Sequence, residues 1–369
     1  MAVLTPRLFR RGLEIFAVIS LLGLAGLLLY GSNLERFAHA ILTLELQWLL
    51  LGVAVASLDW FGGGLRLYVV ARHVYPQQSL RGALLAGGMN TWAAYLTPSQ
   101  TGGGPMMIYV LKRYGTPLPE ATVASLMTFV ATVIFFAIAG PTAVLVGAGR
   151  SLTEHGVIGD AFDLFDLFNV SLAGFVLVGL GLVVLIAFPG LARRLAGALR
   201  RVVAARGRAE LAARIATAEA GVDRAHAAIR HFATPRGLLA TLACVILSAA
   251  AHANKLVAGY MVLKMLGIHV NFVDVVLLQT LITFLLYFAP TPGASGLAEL
   301  ISAAVMSIYV PRELTPSYIL LWRVLVSYLT VGFGSVVFWR WLKDAERQGK
   351  AMETLSVGAD SVAPGHGAT

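Results

Sequence analysis

Apolar residues in this chain come in long unbroken stretches, not in the alternating or amphipathic stripes of a soluble fold. Several are long enough to cross a hydrocarbon core of about 30 Å, which takes roughly 20 residues of helix. They run from about Leu13 to Tyr30, Gln47 to Val70, Pro119 to Val146, Phe168 to Phe188, Gly237 to Leu263 and Ser317 to Trp339. Two further apolar stretches are interrupted. Gly82 to Leu96 breaks at Thr97-Pro98-Ser99-Gln100-Thr101-Gly102-Gly103-Gly104-Pro105 and resumes briefly before Lys112 and Arg113. Phe272 to Ala289 breaks at Pro290-Thr291-Pro292-Gly293-Ala294-Ser295-Gly296 and resumes from Leu297 to Val310. Proline and glycine clusters at membrane depth are tolerated only where backbone is buried in protein or lines a cavity. Each broken stretch is therefore expected to be a re-entrant helical hairpin.

Composition agrees with this pattern. The 369 residues are 58% hydrophobic and 13% charged, against about 25% charged in an ordinary soluble domain. The expected fold class is an all-α polytopic membrane protein with about six full spans plus two re-entrant broken hairpins. Net charge is +9, but the basic residues sit in short runs beside apolar segments, so they read as topology signals and not as a nucleic-acid surface. Arg7, Arg10 and Arg11 precede the first span; Arg66, Arg72, His73 and Arg81 surround the end of the second. Arg193, Arg194, Arg200, Arg201, Arg206, Arg208 and Arg214 follow the fourth, and Arg340, Lys343, Arg347 and Lys350 follow the last. Glu154, Asp160, Asp163 and Asp166 mark the opposite side. This places both termini in the cytoplasm of a plasma or inner membrane. The first span also has the layout of a signal peptide, with a weak Ala38-His39-Ala40 cleavage site, but its apolar length favours a retained span.

The two breaks resemble each other. Tyr95-x-x-Pro98-Ser99 matches Tyr287-x-x-Pro290-Thr291, and Gly104 matches Gly296 at the same offset. Each unit reads as a span, a broken hairpin and a proline-led span, and the charge pattern gives them opposite orientations. That is the inverted repeat of many secondary transporters, whose sites lie near the midplane where broken helices meet. The expected organisation is an N-terminal span and external loop over 1–46, repeat A over 47–146, and an external acidic loop with a span over 147–190. A cytoplasmic basic amphipathic linker over 191–236, repeat B over 237–342 and a disordered tail over 343–369 complete it.

The residues TPSQTGGGPMMIYVLKRYG and YFAPTPGASGLAE, with Arg66 upstream, resemble the lysylphosphatidylglycerol synthase transmembrane family, also called the flippase-like domain family. The resemblance runs from the second span to the last. It implies a membrane module that moves a lipid product across the bilayer, fused in some members to a soluble domain that aminoacylates phosphatidylglycerol. Within these 369 residues no room is expected for that domain, so no enzyme activity is expected from the resemblance. Where many members carry an arginine shortly after the glycines, this chain has Met106 and Met107.

Candidate site residues follow from two arguments. Helix ends at glycine breaks expose unpaired N–H groups that bind anions, and this selects Ser99, Gln100, Thr101, Gly102, Gly103, Gly104, Thr291, Gly293, Ser295 and Gly296. Ionisable or amide groups inside spans are costly and so need a reason. This selects Arg66, Asn90, Lys255 and Arg323 as substrate-binding residues, and Glu299 and Asp59 as candidates for proton coupling. The alternatives are tight turns for the glycines, helix capping for Glu299, snorkelling for Arg66 and pairing to Glu299 or Asp59 for Arg323. His252 shares a face with Lys255, while Gln279, Tyr95 and Tyr287 read as structural. A lone cysteine, Cys244, and no HExxH or phosphate-loop motif leave no expected metal, cofactor or catalytic residue. The resulting expectation is a transporter for an anionic phospholipid or lipid-linked headgroup. Its partners are membrane lipids, with a soluble or membrane synthase compatible beside them. The competing readings are a lipid-linked transferase using Asp160, Asp163 and Asp166, and a scaffold for a partner enzyme.

Overall fold

A computed structural model describes residues 6–31, 34–148, 164–207 and 229–341, with isolated positions between 209 and 227 and residue 343. Glu154, Asp160 and Asp163 of the expected acidic loop, most of the linker over 208–228 and the tail from 344 lie outside the described residues. Among the described residues every element is helical. In chain order they are α1 (Pro6–Gly31), α2 (Leu34–Leu42), α3 (Leu46–Ala56), α4 (Leu58–Val74), α5 (Leu80–Tyr95), α6 (Gly103–Arg113) and α7 (Leu118–Ala143). There follow α8 (Leu164–Ala187), α9 (Pro189–Ala205), α10 (Pro235–Ala251), α11 (Ala253–Met265), α12 (Phe272–Leu286), α13 (Leu297–Met306) and α14 (Thr315–Arg323).

Four described stretches are long and apolar enough to cross a membrane: Leu46–Val74, Leu118–Gly147, Pro235–Met265 and Arg312–Trp341. Their outward faces carry exposed Leu50, Phe61, Leu239, Ile246, Phe333 and Val336, a belt that suits lipid and would be a liability in water. Two of these spans bend near the middle. At Ser57 the hydroxyl donates to Ala54 O at 2.6 Å, and at His252 the ring Nδ1 lies 2.8 Å from Ser248 O. Side chains that bond back to the preceding turn bend helices in this way. The start of one bent span packs on the end of the other, α3 on α11 and α4 on α10, so the two run antiparallel past each other.

The broken stretches form two helix pairs, α5–α6 and α12–α13, and the two ends of each pair lie together. Thr116 Oγ1 donates to Gln78 Oε1 at 2.5 Å across the base of the first. The Tyr309 hydroxyl donates to Asp274 Oδ2 across the base of the second. Burial and the adjacent Asp274 push the Tyr309 phenol up to about 12, so it stays a neutral donor across the physiological range. The tips of the two pairs meet. Ser99 N donates to Ala289 O at 3.1 Å and Gln100 Nε2 donates to Tyr287 O at 2.9 Å, supplying partners for carbonyls at the C-terminal end of α12 that have none within their own helix.

Both tips have the same backbone. A short turn follows Thr-Pro in each, at Pro98–Gln100 and Pro292–Ala294, and then a new helix begins. Ser99 and Gln100 have φ of 48° and 58°, and Gly293 and Ala294 have 57° and 56°. In backbone terms Thr97-Pro98 therefore matches Thr291-Pro292, and the expected pairing of Tyr95 with Tyr287 and of Pro98 with Pro290 is two residues out of register. Pro290 is the cause. It disfavours helix at Ala289, so α12 stops early and extra linker precedes its turn.

Close packing around the first pair depends on bare backbone. A Cβ on Gly87 would lie 2.4 Å from Gly64 N, and one on Gly64 would lie 2.4 Å from Leu84 Cα, so α4 and α5 touch main chain to main chain as small-residue membrane helices do. Gly87→Ala is expected to cost about 1–3 kcal/mol through overpacking. Gly332→Ala, where a Cβ meets nothing within 4 Å, should be neutral or slightly stabilising. Thermal unfolding midpoints of the two variants in detergent check this, and equal midpoints would disprove the close approach.

At the other end of the chain, one face of α1 packs into the fold, while Ile15, Val18, Leu21 and Leu22 on its other faces are exposed. Phe9, Phe16 and Ser20 are buried, and a Cβ on Gly293 would strike the Phe16 ring at 2.5 Å. In contrast, Leu191, Leu195, Leu199 and Val202 of α9 form an apolar stripe that is exposed, with Arg193, Arg194, Arg200 and Arg201 also exposed on the same helix.

Candidate functional site

Where the two tips meet the bent spans there is a cavity of about 500 Å³, within the usual range for a small-molecule site. Of the residues singled out above, Asp59, Arg66, Asn90, Ser99, Gln100, Thr101, Gly104, Lys255, Thr291, Gly293 and Arg323 line it. Gly102, Gly103, Ser295, Gly296 and Glu299 do not. Gly102 and Gly103 pack tightly instead: a Cβ would lie 2.7 Å from Thr97 Cγ2 and from Asn90 Oδ1 respectively.

Arg323 and Glu299, each 2% exposed, form a buried ion pair with Nε 3.0 Å from Oε1. The pair is Coulombic, since neither atom completes an aligned hydrogen bond. Arg323 also donates from Nη1 to Gly293 O at 3.0 Å and from Nη2 to Ser295 Oγ at 2.9 Å and Ser20 Oγ at 3.2 Å. Its guanidinium lies 5.4 Å from the Phe16 ring centre and 5.6 Å from that of Tyr328. Glu299 Oε2 accepts from Gly296 N at 2.7 Å, capping α13. Gly296 has φ 87°, a conformation that favours glycine. Together these residues clamp the second tip to α1 and α14.

Lys255 and Asp59 form a second pair, Nζ to Oδ1 at 2.9 Å. Asp59 is 2% exposed, and its Oδ2 accepts from Thr330 Oγ1 at 3.1 Å and lies 3.3 Å from the Tyr95 hydroxyl. The Tyr95 proton serves the shorter contact, to Val326 O at 2.5 Å. Lys255 Nζ sits 5.4 Å from the Tyr95 ring centre.

Arg66 differs from both. It is 7% exposed, and Nη1 donates to Thr132 Oγ1 at 2.7 Å and Ser248 Oγ at 3.0 Å. Its Nε is buried without a hydrogen-bond partner. Among the described residues no carboxylate oxygen lies within ion-pairing distance of it. Beside it His252 lines the cavity, its Nδ1 facing Ser248 O. A carbonyl only accepts, so Nδ1 carries the proton of that bond.

The rest of the lining combines hydroxyl and apolar groups. Thr122, Ser125, Thr128 and Thr132 bring one face of α7 to the cavity, with Met107, Ile108, Leu126, Phe129, Leu286 and Phe288 beside them. That hydroxyl stripe, three or four residues apart, is legible in the sequence as the polar face of an apolar span. Ser20, Ser248 and Thr330 carry no local signal, because each acts through a partner far along the chain. Gln279 is structural: Trp322 Nε1 donates to it at 2.8 Å and it donates to the Tyr318 hydroxyl at 3.1 Å. Asp160 and Asp163 lie outside the described residues, as does the Asp166 side chain. Among the described residues no group of three or more His, Cys, Asp or Glu is placed to hold a metal.

Two comparisons bear on this arrangement. The family model described as the lysylphosphatidylglycerol synthase TM region matches residues 14–334. No curated protein matches the chain.

Proposed function

The chain belongs to the lysylphosphatidylglycerol synthase transmembrane family, and from that premise we propose that it is a non-enzymatic transporter that moves an anionic phospholipid or lipid-linked headgroup across the bilayer. The observation that carries the proposal is Arg66, a buried guanidinium with no carboxylate partner among the described residues, lining a cavity that also offers apolar side chains. An uncompensated charge inside a membrane protein is costly, and an anionic ligand removes that cost. Met106 and Met107, which stand where many relatives carry an arginine, are buried on α6, so on this reading α4 supplies the cavity's free cation.

Alternating access fits the same reading. The two broken pairs, each closed at its base and touching at its tip, suit two re-entrant hairpins that would enter from opposite faces. The antiparallel bent spans flanking them fit an inverted repeat, and α1 and α8, of 26 and 24 residues, bring the spans to six. Arg72, Arg81, Lys112, Arg113, Arg236 and Arg340 stand at the end of α4, the start of α5, the end of α6, the start of α10 and the end of the last span. By the positive-inside rule this orients those ends to the cytoplasm of the cell membrane. The exposed leucine stripe and arginines of α9 suit the anionic surface of the same leaflet.

Reconstitution of the full chain in liposomes tests the proposal. Acyl-chain-labelled anionic lipid should exchange between leaflets faster with protein than without it, in either direction in the absence of a gradient. Rates equal to those of protein-free vesicles for every anionic lipid would reject it.

A further inference from the structure

The cavity's own charges and hydrogen-bonding groups narrow the ligand further, on the premise that the cavity is the transport site. Among the described residues its charged side chains are Asp59, Arg66, Lys255 and Arg323, with Glu299 directly behind Arg323. Lys255 and Asp59 neutralise each other at 2.9 Å, as do Arg323 and Glu299 at 3.0 Å. Arg66 remains, so the site carries one net positive charge and a ligand with one negative charge brings it to neutrality. A phosphomonoester or diphosphate would leave excess negative charge in a low-dielectric interior, and a zwitterionic headgroup would leave the positive charge uncompensated.

The hydroxyls add a second constraint. Thr122, Thr128, Thr132 and Thr283 each spend their single proton on the backbone carbonyl four residues earlier, at 2.7, 2.8, 3.1 and 2.8 Å. What they present to the cavity is lone pairs. The part of the ligand that faces them donates hydrogen bonds. An amine that cancels the phosphate's charge is excluded by the charge balance, and one balanced by a carboxylate, as in phosphatidylserine, would need a further ion pair, whereas Asp59, Lys255, Arg323 and Glu299 are already paired with one another. We infer that the cavity takes a singly charged phosphodiester lipid whose headgroup carries hydroxyls and no further charge, a glycerol- or sugar-type headgroup. The phosphate lies on Arg66 and the hydroxyls lie along the α7 face.

Two readouts on the full chain separate this inference from the transport proposal. Binding in detergent by tryptophan quenching, and leaflet exchange in liposomes, are measured with labelled phosphatidylglycerol, phosphatidylinositol, phosphatidylserine, phosphatidylethanolamine and phosphatidate. The inference expects the first two to bind and move at least about tenfold better than the other three, the scale of one charge-assisted hydrogen bond gained or lost. Equal binding of phosphatidylethanolamine or phosphatidylserine overturns it even if all the lipids move. Selective binding without movement upholds it and rejects transport. Deacylated glycerophosphoglycerol is the third arm: if it competes as well as phosphatidylglycerol, the ligand is a soluble phosphodiester and the lipid assignment falls. Arg66→Gln should remove the headgroup preference in binding, and retention of the preference in that variant also overturns the inference.

Discussion

Arg323→Met is expected to be the most damaging single change at this cavity, costing about 3–5 kcal/mol. The guanidinium ties three elements together. It pairs with Glu299 at the start of α13, holds Gly293 O and Ser295 Oγ of the second tip, and reaches Ser20 of α1. Without it the Glu299 carboxylate stays buried with Gly296 N as its remaining hydrogen-bond donor, and an unpaired buried charge costs more than the intact pair contributes. The thermal unfolding midpoint in detergent should fall by on the order of 10 °C. Glu299→Gln in the same chain should recover at least half of the loss, because it removes the orphaned charge while an amide oxygen still accepts from Gly296. If Arg323→Met unfolds at the wild-type temperature, or the double variant is no better than the single one, the clamp is wrongly assigned.

This clamp also marks what the sequence can and cannot convey. Long apolar runs and Pro/Gly breaks are local signals, and they placed the helices close to where they lie: a span expected over Gln47 to Val70 occupies Leu46–Val74, and one over Gly237 to Leu263 occupies Pro235–Met265. The choice of Arg323 and Glu299 followed from the cost of charge in an apolar span. Their pairing was weighed as one alternative, but Ser20, some 300 positions away, had no local pattern to announce it. The expected register of the two tips fails because the Tyr-x-x-Pro match is a side-chain pattern, whereas the turn begins at the second proline of Pro290-Thr291-Pro292. In the sequence the glycine clusters look like anion-binding helix ends. Gly102 and Gly103 instead serve close approach, and only backbone coordinates separate these uses. The hydroxyl face of α7 is spaced three or four residues apart and so is present in the sequence, but the long apolar run around it hides it in a reading by hydropathy.

Arg66 supports the opposite prediction to Arg323, although the two arginines line one cavity. Arg66→Met should abolish lipid movement, by about 100-fold or more, while leaving the unfolding midpoint unchanged or raised. The stability argument rests on what the side chain leaves behind. Thr132 and Ser248 accept from Arg66 but send their own protons to Thr128 O and Cys244 O, so losing Arg66 orphans no donor. The substitution also removes a buried charge that no described carboxylate balances, and replacing such a charge with an apolar group of similar length is neutral or stabilising. The activity argument rests on the same imbalance, because a phosphate deprived of a buried guanidinium loses two charge-assisted hydrogen bonds worth about 1.5–3 kcal/mol each. Arg66→Lys keeps the charge but not the fork geometry, and should fall between. Exchange assays and melting curves on the same three preparations decide the matter. An Arg66→Met protein that melts early and transports poorly makes Arg66 a structural residue like Arg323, and one that transports normally removes Arg66 from the site.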